Sequence, residues 1–272
     1  MVAFVFGGGG LLGATEAGMA RALLEAGVVP DLVLGTSIGA INGAMLAGEP
    51  SPHRAVVLAR LWDEIADADV LGGSPIDRVS HVVRNRTSLH SNERLASLLR
   101  TQLPAAFADL AVRFECVAAS IEGARETWFS EGPLVEAVLA SAALPGVFPA
   151  MQIGGEHYFD GGLVNSVPID RALQRGADTI WVLHVGRVEE QLSPPRFPWE
   201  VGFVAFEIAR RHRFHRDLSN LPDGVTVHVL PTGLDAREAA TWSALRYGNR
   251  RRIGDRAERA YQATAEYLRA NR

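Results

Sequence analysis

Segment 1–50 runs twice through one pattern: a short apolar stretch, a glycine-bearing turn, then a helical stretch. Val2 to Phe6 is continuous, rich in β-formers and ends at Gly7, as a strand covered on both faces does. Ala14 to Ala26 places Met19, Ala22, Leu23 and Ala26 at helical spacing, with Gly27 as the stop. Asp31 to Leu34 repeats the strand, and Ile38 to Ala47 repeats the helix, ending at Gly48. Strand–helix–strand–helix at this spacing predicts an α/β fold around a parallel sheet with right-handed crossovers.

The two turns differ in chemistry. Gly8-x-Gly10-x-x-Gly13 follows a strand and opens a helix, which matches a dinucleotide fingerprint. That fingerprint also needs an acid at the end of the second strand, to bind ribose. Gly35-Thr36-Ser37 occupies that place, and Asp31 begins the strand instead of ending it. The second turn, Gly35-Thr36-Ser37-Ile38-Gly39, is a Gly-x-Ser-x-Gly run between strand and helix. A sharp turn there strains the serine backbone and exposes its hydroxyl, and only small flanking residues avoid a clash. Ser37 is therefore the candidate nucleophile. The next helix aims its N-terminus and the Ile38 amide at a developing anion, and the amides of Gly8, Gly9 and Gly10 are the candidate oxyanion donors.

Beyond residue 50, Ala55 to Ala66 and Glu93 to Leu103 read as helices, with a loop-like stretch over 68–92. Arg113 to Ile121 and Glu126 to Phe129 read as strands joined at Glu122-Gly123, followed by a helix over Leu134 to Ser141. Gly154-Gly155 is a hairpin turn between Gln152-Ile153 and His157-Tyr158-Phe159. Thr179 to Val185 and Val225 to Leu230 are further strands, and Phe203 to Leu218 and Arg250 to Leu268 are arginine-rich amphipathic stretches. No repeat or linker divides the 272 residues, so one domain is expected.

Composition excludes several classes. A net charge of −4 argues against general nucleic-acid affinity, which needs a basic excess. All basic charge is arginine, because no lysine occurs. Cys116 is the single cysteine, so neither an intrachain disulfide nor a thiolate metal cluster can form, and a packed core thiol is expected. No apolar run approaches the ~20 residues of a membrane span, and Val2–Phe6 lacks the basic flank of a signal peptide. The expectation is a cytoplasmic protein without cofactor or metal, any membrane contact being peripheral at the inner face.

A histidine base finds no convincing place. His157, His184 and His228 fall in strands, and His212 and His215 on a basic helix. Asp160-Gly161-Gly162 follows a strand and lets a carboxylate project into a cleft, although in isolation an Asp-Gly turn with a structural acid is the preferred reading. In sequence order, Phe6 to Ala14, Gly35 to Asn42, Ala140 to Pro149, and Asp160-Gly161-Gly162 with Pro168 and Gly176-Ala177-Asp178 form four blocks. Together they resemble the patatin-like phospholipases over residues 2 to about 230. The resemblance implies a three-layer α/β/α fold with a central, mostly parallel sheet, and a Ser–Asp dyad without histidine. Ser37 is then the nucleophile and Asp160 the general base, and the substrate is a lipid ester. It also implies an acyl hydrolase domain over 1–230, with 231–272 as a helical extension packed on it. One departure is Leu12, where the family's glycine block usually has a basic residue.

Leu11, Leu12, Leu144, Val147 and Phe148 suit an acyl pocket or ordinary core equally. Phe203, Val204, Phe206 and Ile208, followed by Arg210, Arg211, Arg213 and Arg216, suit an interfacial helix on anionic lipid or a solvated face. A non-catalytic lipid-binding protein on the same fold, and a nucleotide-binding oxidoreductase, are the alternative functions.

Overall fold

The computed structural model describes residues 1–9, 12–67, 88, 90–185, 191–233 and 250–271. β1 (Val2–Phe6) leads to α1 (Gly13–Glu25), β2 (Leu32–Thr36), α2 (Ile38–Gly48) and α3 (Pro52–Asp67). α4 (Glu93–Gln102), β3 (Arg113–Ser120), β4 (Arg125–Phe129), α5 (Leu134–Ser141), β5 (Met151–Ile153) and β6 (Glu156–Asp160) follow. The chain continues through α6 (Ile169–Gln174), β7 (Thr179–Leu183), α7 (Pro198–Ser219), β8 (Thr226–Val229) and α8 (Arg250–Ala270). Most of the stretch read as a loop over 68–92, namely 68–87 and 89, lies outside the described residues.

The sheet runs β5-β6-β3-β2-β1-β7-β8, with β4 beside β3. From β3 to β8 all neighbours are parallel, while β4 and β6 pair antiparallel with β3, and β5 antiparallel with β6. Alternation of side chains along each strand separates two cores. Phe4, Phe6, Val33, Trp181 and Leu183 face α1 to α5 and α8. Ala3, Val5, Leu32, Leu34, Ile180 and Val182 face α6 and α7, meeting Ile169, Ala172 and Phe214. With both faces covered, the central strands read as unbroken apolar runs. Complete burial of a Phe or Leu contributes about 1.5–3 kcal/mol each, so the glycine turns sit on a rigid base.

β3 is longer than its parallel neighbour, and this positions the site. Arg113 to Val117 pair with β2, whereas Ala118 to Ser120 pair with β6. β4 covers Cys116 to Ser120 along the opposite edge. β2 and β6 therefore share one edge of β3, end to end and in opposite directions. β2 stops at Thr36 opposite Val117, and β6 stops at Asp160 opposite Ala118. The residues just beyond one strand and at the tip of the other must meet.

The β5–β6 hairpin turns on Gly154 and Gly155 at φ 59° and 90°, the positive pair that a two-residue turn requires. α8 packs on α1: Ala260 and Leu268 enter the core, and the Tyr261 hydroxyl donates to Glu25 at 2.6 Å. Residues 234–249 of the segment read as an extension lie outside the described residues. No described helix is long and apolar enough to cross a membrane.

Candidate active site

Ser37 stands between β2 and α2 at φ 58°, ψ −125°, a left-handed-side conformation that is strained for a non-glycine residue. Packing on either side holds it there. A Cβ on Gly35 would come 2.5 Å from the Gly39 carbonyl oxygen, and one on Gly39 would come 2.4 Å from the Phe6 oxygen. Both glycines are thus required by backbone approach between β1, β2 and α2. The Ser37 N–H donates to Ser141 Oγ at 3.0 Å, and Thr36 Oγ1 donates to the Asn165 carbonyl at 2.8 Å. The turn is tied to α5 on one side and to the segment after Asp160 on the other.

The Ser37 hydroxyl donates to Asp160 Oδ2 at 2.6 Å. Asp160 is 2% exposed. Its Oδ1 accepts from the Gly162 N–H at 2.7 Å, and its own N–H donates to the Ala143 carbonyl at 2.9 Å. Burial pushes the Asp160 carboxyl up to about 6, against the opposing pull of its bonds from Ser37 and Gly162. A carboxylate made more basic by desolvation and bonded to a serine hydroxyl can accept that proton directly.

The glycine loop lies against this pair: a Cβ on Gly8 would be 3.4 Å from Ser37 Cβ. Gly8 departs from the sequence expectation, because its N–H donates to the Ser166 carbonyl at 2.8 Å and is committed inside the fold. Gly9 and Ile38 remain as described donors. Ile38 opens α2, where first-turn amides have no intrahelical acceptor. Gly10, and Leu11 of the expected acyl pocket, lie outside the described residues. Leu12 is buried in the apolar core. Beneath the loop, Asn42 Nδ2 donates to the Gly13 carbonyl at 3.0 Å and to Glu16 Oε2 at 2.7 Å. Trp62 Nε1 donates to Asn42 Oδ1 at 2.8 Å, so α1, α2 and α3 are locked together. Complete burial raises Glu16 well above the usual carboxylate range, Asn42 pulling the other way.

The five histidines weighed in the sequence have settings of their own. His157 pairs with Glu122 at 2.7 Å on the exposed hairpin side. His228 stacks on Trp181, with ring centroids 3.9 Å apart. His212 and His215 are exposed on α7, and His184 is buried at the end of β7. Cys116 is buried, which pushes its thiol up.

α7 contributes two contacts that the sequence did not reveal. Phe206 abuts Gly162, where a Cβ would come 3.0 Å from its Cζ, and Arg210 Nη1 donates to the Gly8 carbonyl at 2.8 Å. Arg211 is paired with Glu207, and Arg213 with Glu126 and Asp170. These arginines bind acids within the fold, which suits neither a cationic face for anionic lipid nor a fully solvated one. Ser141 was legible as part of the Ala140–Pro149 block, but its bond to the Ser37 amide was not. No local pattern reports a partner 104 residues away.

Comparison with known proteins places the chain in a family. A family model described as Patatin-like phospholipase matches residues 4–173. Patatin-like phospholipase domain-containing protein 6 of Homo sapiens is 33% identical over 192 residues, covering 70% of this chain and 14% of that protein. Lysophospholipase nte1 of Aspergillus terreus is 29% identical over 197 residues, covering 70% of this chain and 12% of that protein. The chain therefore spans only a small part of the length of these relatives. Among solved structures, VipD from Legionella pneumophila superposes with a TM-score of 0.51 at 14% identity, covering 99% of this chain and 66% of that one. That likeness concerns the fold.

Proposed function

This chain belongs to the patatin-like phospholipase family, and from that membership we propose that it is a serine acyl hydrolase acting on carboxylic esters of lipids. Phospholipids, lysophospholipids and acylglycerols are the substrate classes. The observation that carries the reading is the 2.6 Å bond from the Ser37 hydroxyl to Asp160, a carboxylate that burial makes unusually basic.

Asp160 takes the Ser37 proton as Oγ attacks the ester carbonyl. The Gly9 and Ile38 amides stabilise the oxyanion, helped by the N-terminal end of α2. Collapse breaks the ester C–O bond, and the proton on Asp160 passes to the leaving alcohol. Asp160 then activates a water that cleaves the acyl-enzyme, releasing the carboxylic acid and restoring Ser37. The dyad works without a histidine.

A fluorophosphonate probe is expected to label the wild type at Ser37. Ser37→Ala and Asp160→Ala should each lose hydrolysis of a short-chain p-nitrophenyl ester by at least about a thousandfold while melting cooperatively. Full activity in Asp160→Ala would sink the dyad.

Contact with the membrane surface belongs to the same reading, and is peripheral. It rests on the exposed Phe197, Val201 and Ile208 more than on arginine charge.

A further inference from the structure

Arg210 lies 202 residues from the glycine loop in sequence, yet its Nη1 bonds the Gly8 carbonyl oxygen at 2.8 Å. Its side chain is only 6% exposed, and Nη2 is held by Glu207 Oε2 at 3.0 Å. Glu207 also takes Arg211 Nε at 3.3 Å. One carboxylate thus holds two guanidinium groups in place. Burying a cation is unfavourable without good partners, and Arg210 has directed one of its donors to a backbone oxygen beside Ser37.

The Gly8 oxygen belongs to the peptide whose N–H is that of Gly9. In a trans peptide the two point in opposite directions, so a guanidinium anchoring the carbonyl also fixes where the Gly9 N–H points. A charged donor on the oxygen polarises the amide and makes its N–H a stronger donor in turn. The described residues of the loop have other anchors as well. The Gly8 N–H is held by Ser166, and Gly9 packs so tightly on Val185 that a Cβ there would lie 1.6 Å from Cγ2.

We propose that Arg210 is a positioning residue for oxyanion stabilisation, holding and polarising the Gly8–Gly9 peptide so that the Gly9 amide meets the developing charge. This role rests on the Ser37–Asp160 reading above. It ties rate to α7, an element that carries neither the nucleophile nor the base.

Wild type, Arg210→Gln, Arg210→Lys and Ser37→Ala are compared on a p-nitrophenyl ester and on a fluorophosphonate probe, each with a thermal melt. In Arg210→Gln, kcat is expected to fall about 10- to 100-fold with KM within about twofold, because the amide acts on the tetrahedral state and not on bound substrate. The labelling rate should fall in parallel. Arg210→Lys should regain part of the loss, since it keeps the charge without the planar fork. Wild-type kcat in a folded Arg210→Gln overturns the role, as does a loss that lysine does not relieve at all. If Arg210→Gln fails to fold, a folded Arg210→Lys decides: reduced kcat at unchanged KM supports the role, and wild-type kcat assigns Arg210 to folding alone. Hydrolysis and labelling retained in Ser37→Ala would instead remove the dyad reading itself.

Discussion

Asp160 shows how one residue links catalysis and stability. Its carboxyl is pushed from 3.8 up to about 6 because burial disfavours the charged form more than two hydrogen bonds favour it. The folded protein therefore binds this proton more tightly than the unfolded chain does. Stability from this group is full below about pH 4 and is lost as pH rises through about 6. Above that window the charged, buried Asp160 costs on the order of 3 kcal/mol. Asp160→Asn should thus be inactive yet more stable than wild type near about pH 8, by about 1–3 kcal/mol in urea denaturation. The gain should vanish near about pH 4. The same shift sets activity: the acidic limb of kcat/KM should fall with an apparent pKa of about 6, since only the ionised carboxylate accepts the Ser37 proton. Undiminished activity at about pH 4 would contradict a direct Asp160 base.

At the scale of elements, α2 approaches β1 so closely that helix propensity is overridden. Glycine inside a helix ordinarily costs roughly 0.5–1 kcal/mol against alanine, so Gly→Ala there is usually stabilising. Gly39→Ala should do the reverse, because the new Cβ would meet the Phe6 and Gly7 carbonyl oxygens at 2.4 and 2.7 Å. Neither backbone can yield without moving β1 from the sheet centre. A loss of about 1–3 kcal/mol in urea midpoint experiments is expected, with activity falling as Ser37 shifts. Elements such as β1, β2 and α2 were readable because their signals are local: apolar runs, turn glycines and helical spacing within a few residues. The Gly8 amide was not, since its acceptor, the Ser166 carbonyl, arrives from a distant segment. Nor was the junction of β2 and β6 on β3, which depends on pairing register between segments far apart in the chain. α7 misled for a related reason. A run of arginines ordinarily reads as a solvated face, but here Arg210 and Arg213 turn inward to Glu207, Glu126 and Asp170.

For the molecule as a whole, that inward turn changes which force can hold it to a lipid surface. On α7, Val201, Ala205, Ile208 and His212 are exposed at helical spacing, and Phe197 is exposed at its N-cap. The outward stripe is apolar over its first half, while Arg210, Arg211 and Arg213 beside it bond acids within the fold. The formal net charge of the chain is −4, so an anionic surface repels it at long range unless a free basic patch compensates. Attachment by apolar insertion follows area buried in the interface and is insensitive to salt, whereas attachment by charge weakens as the Debye length shortens. Sedimentation with neutral vesicles should therefore be unchanged between about 0.05 and 0.5 M salt, and anionic vesicles should bind no better than neutral ones. Ile208 is 56% exposed, and Ile208→Asp should lower vesicle binding severalfold while leaving hydrolysis of a soluble ester unaltered. Binding that requires anionic lipid and is lost in high salt would return the arginines of α7 to the membrane and remove the apolar stripe as the contact.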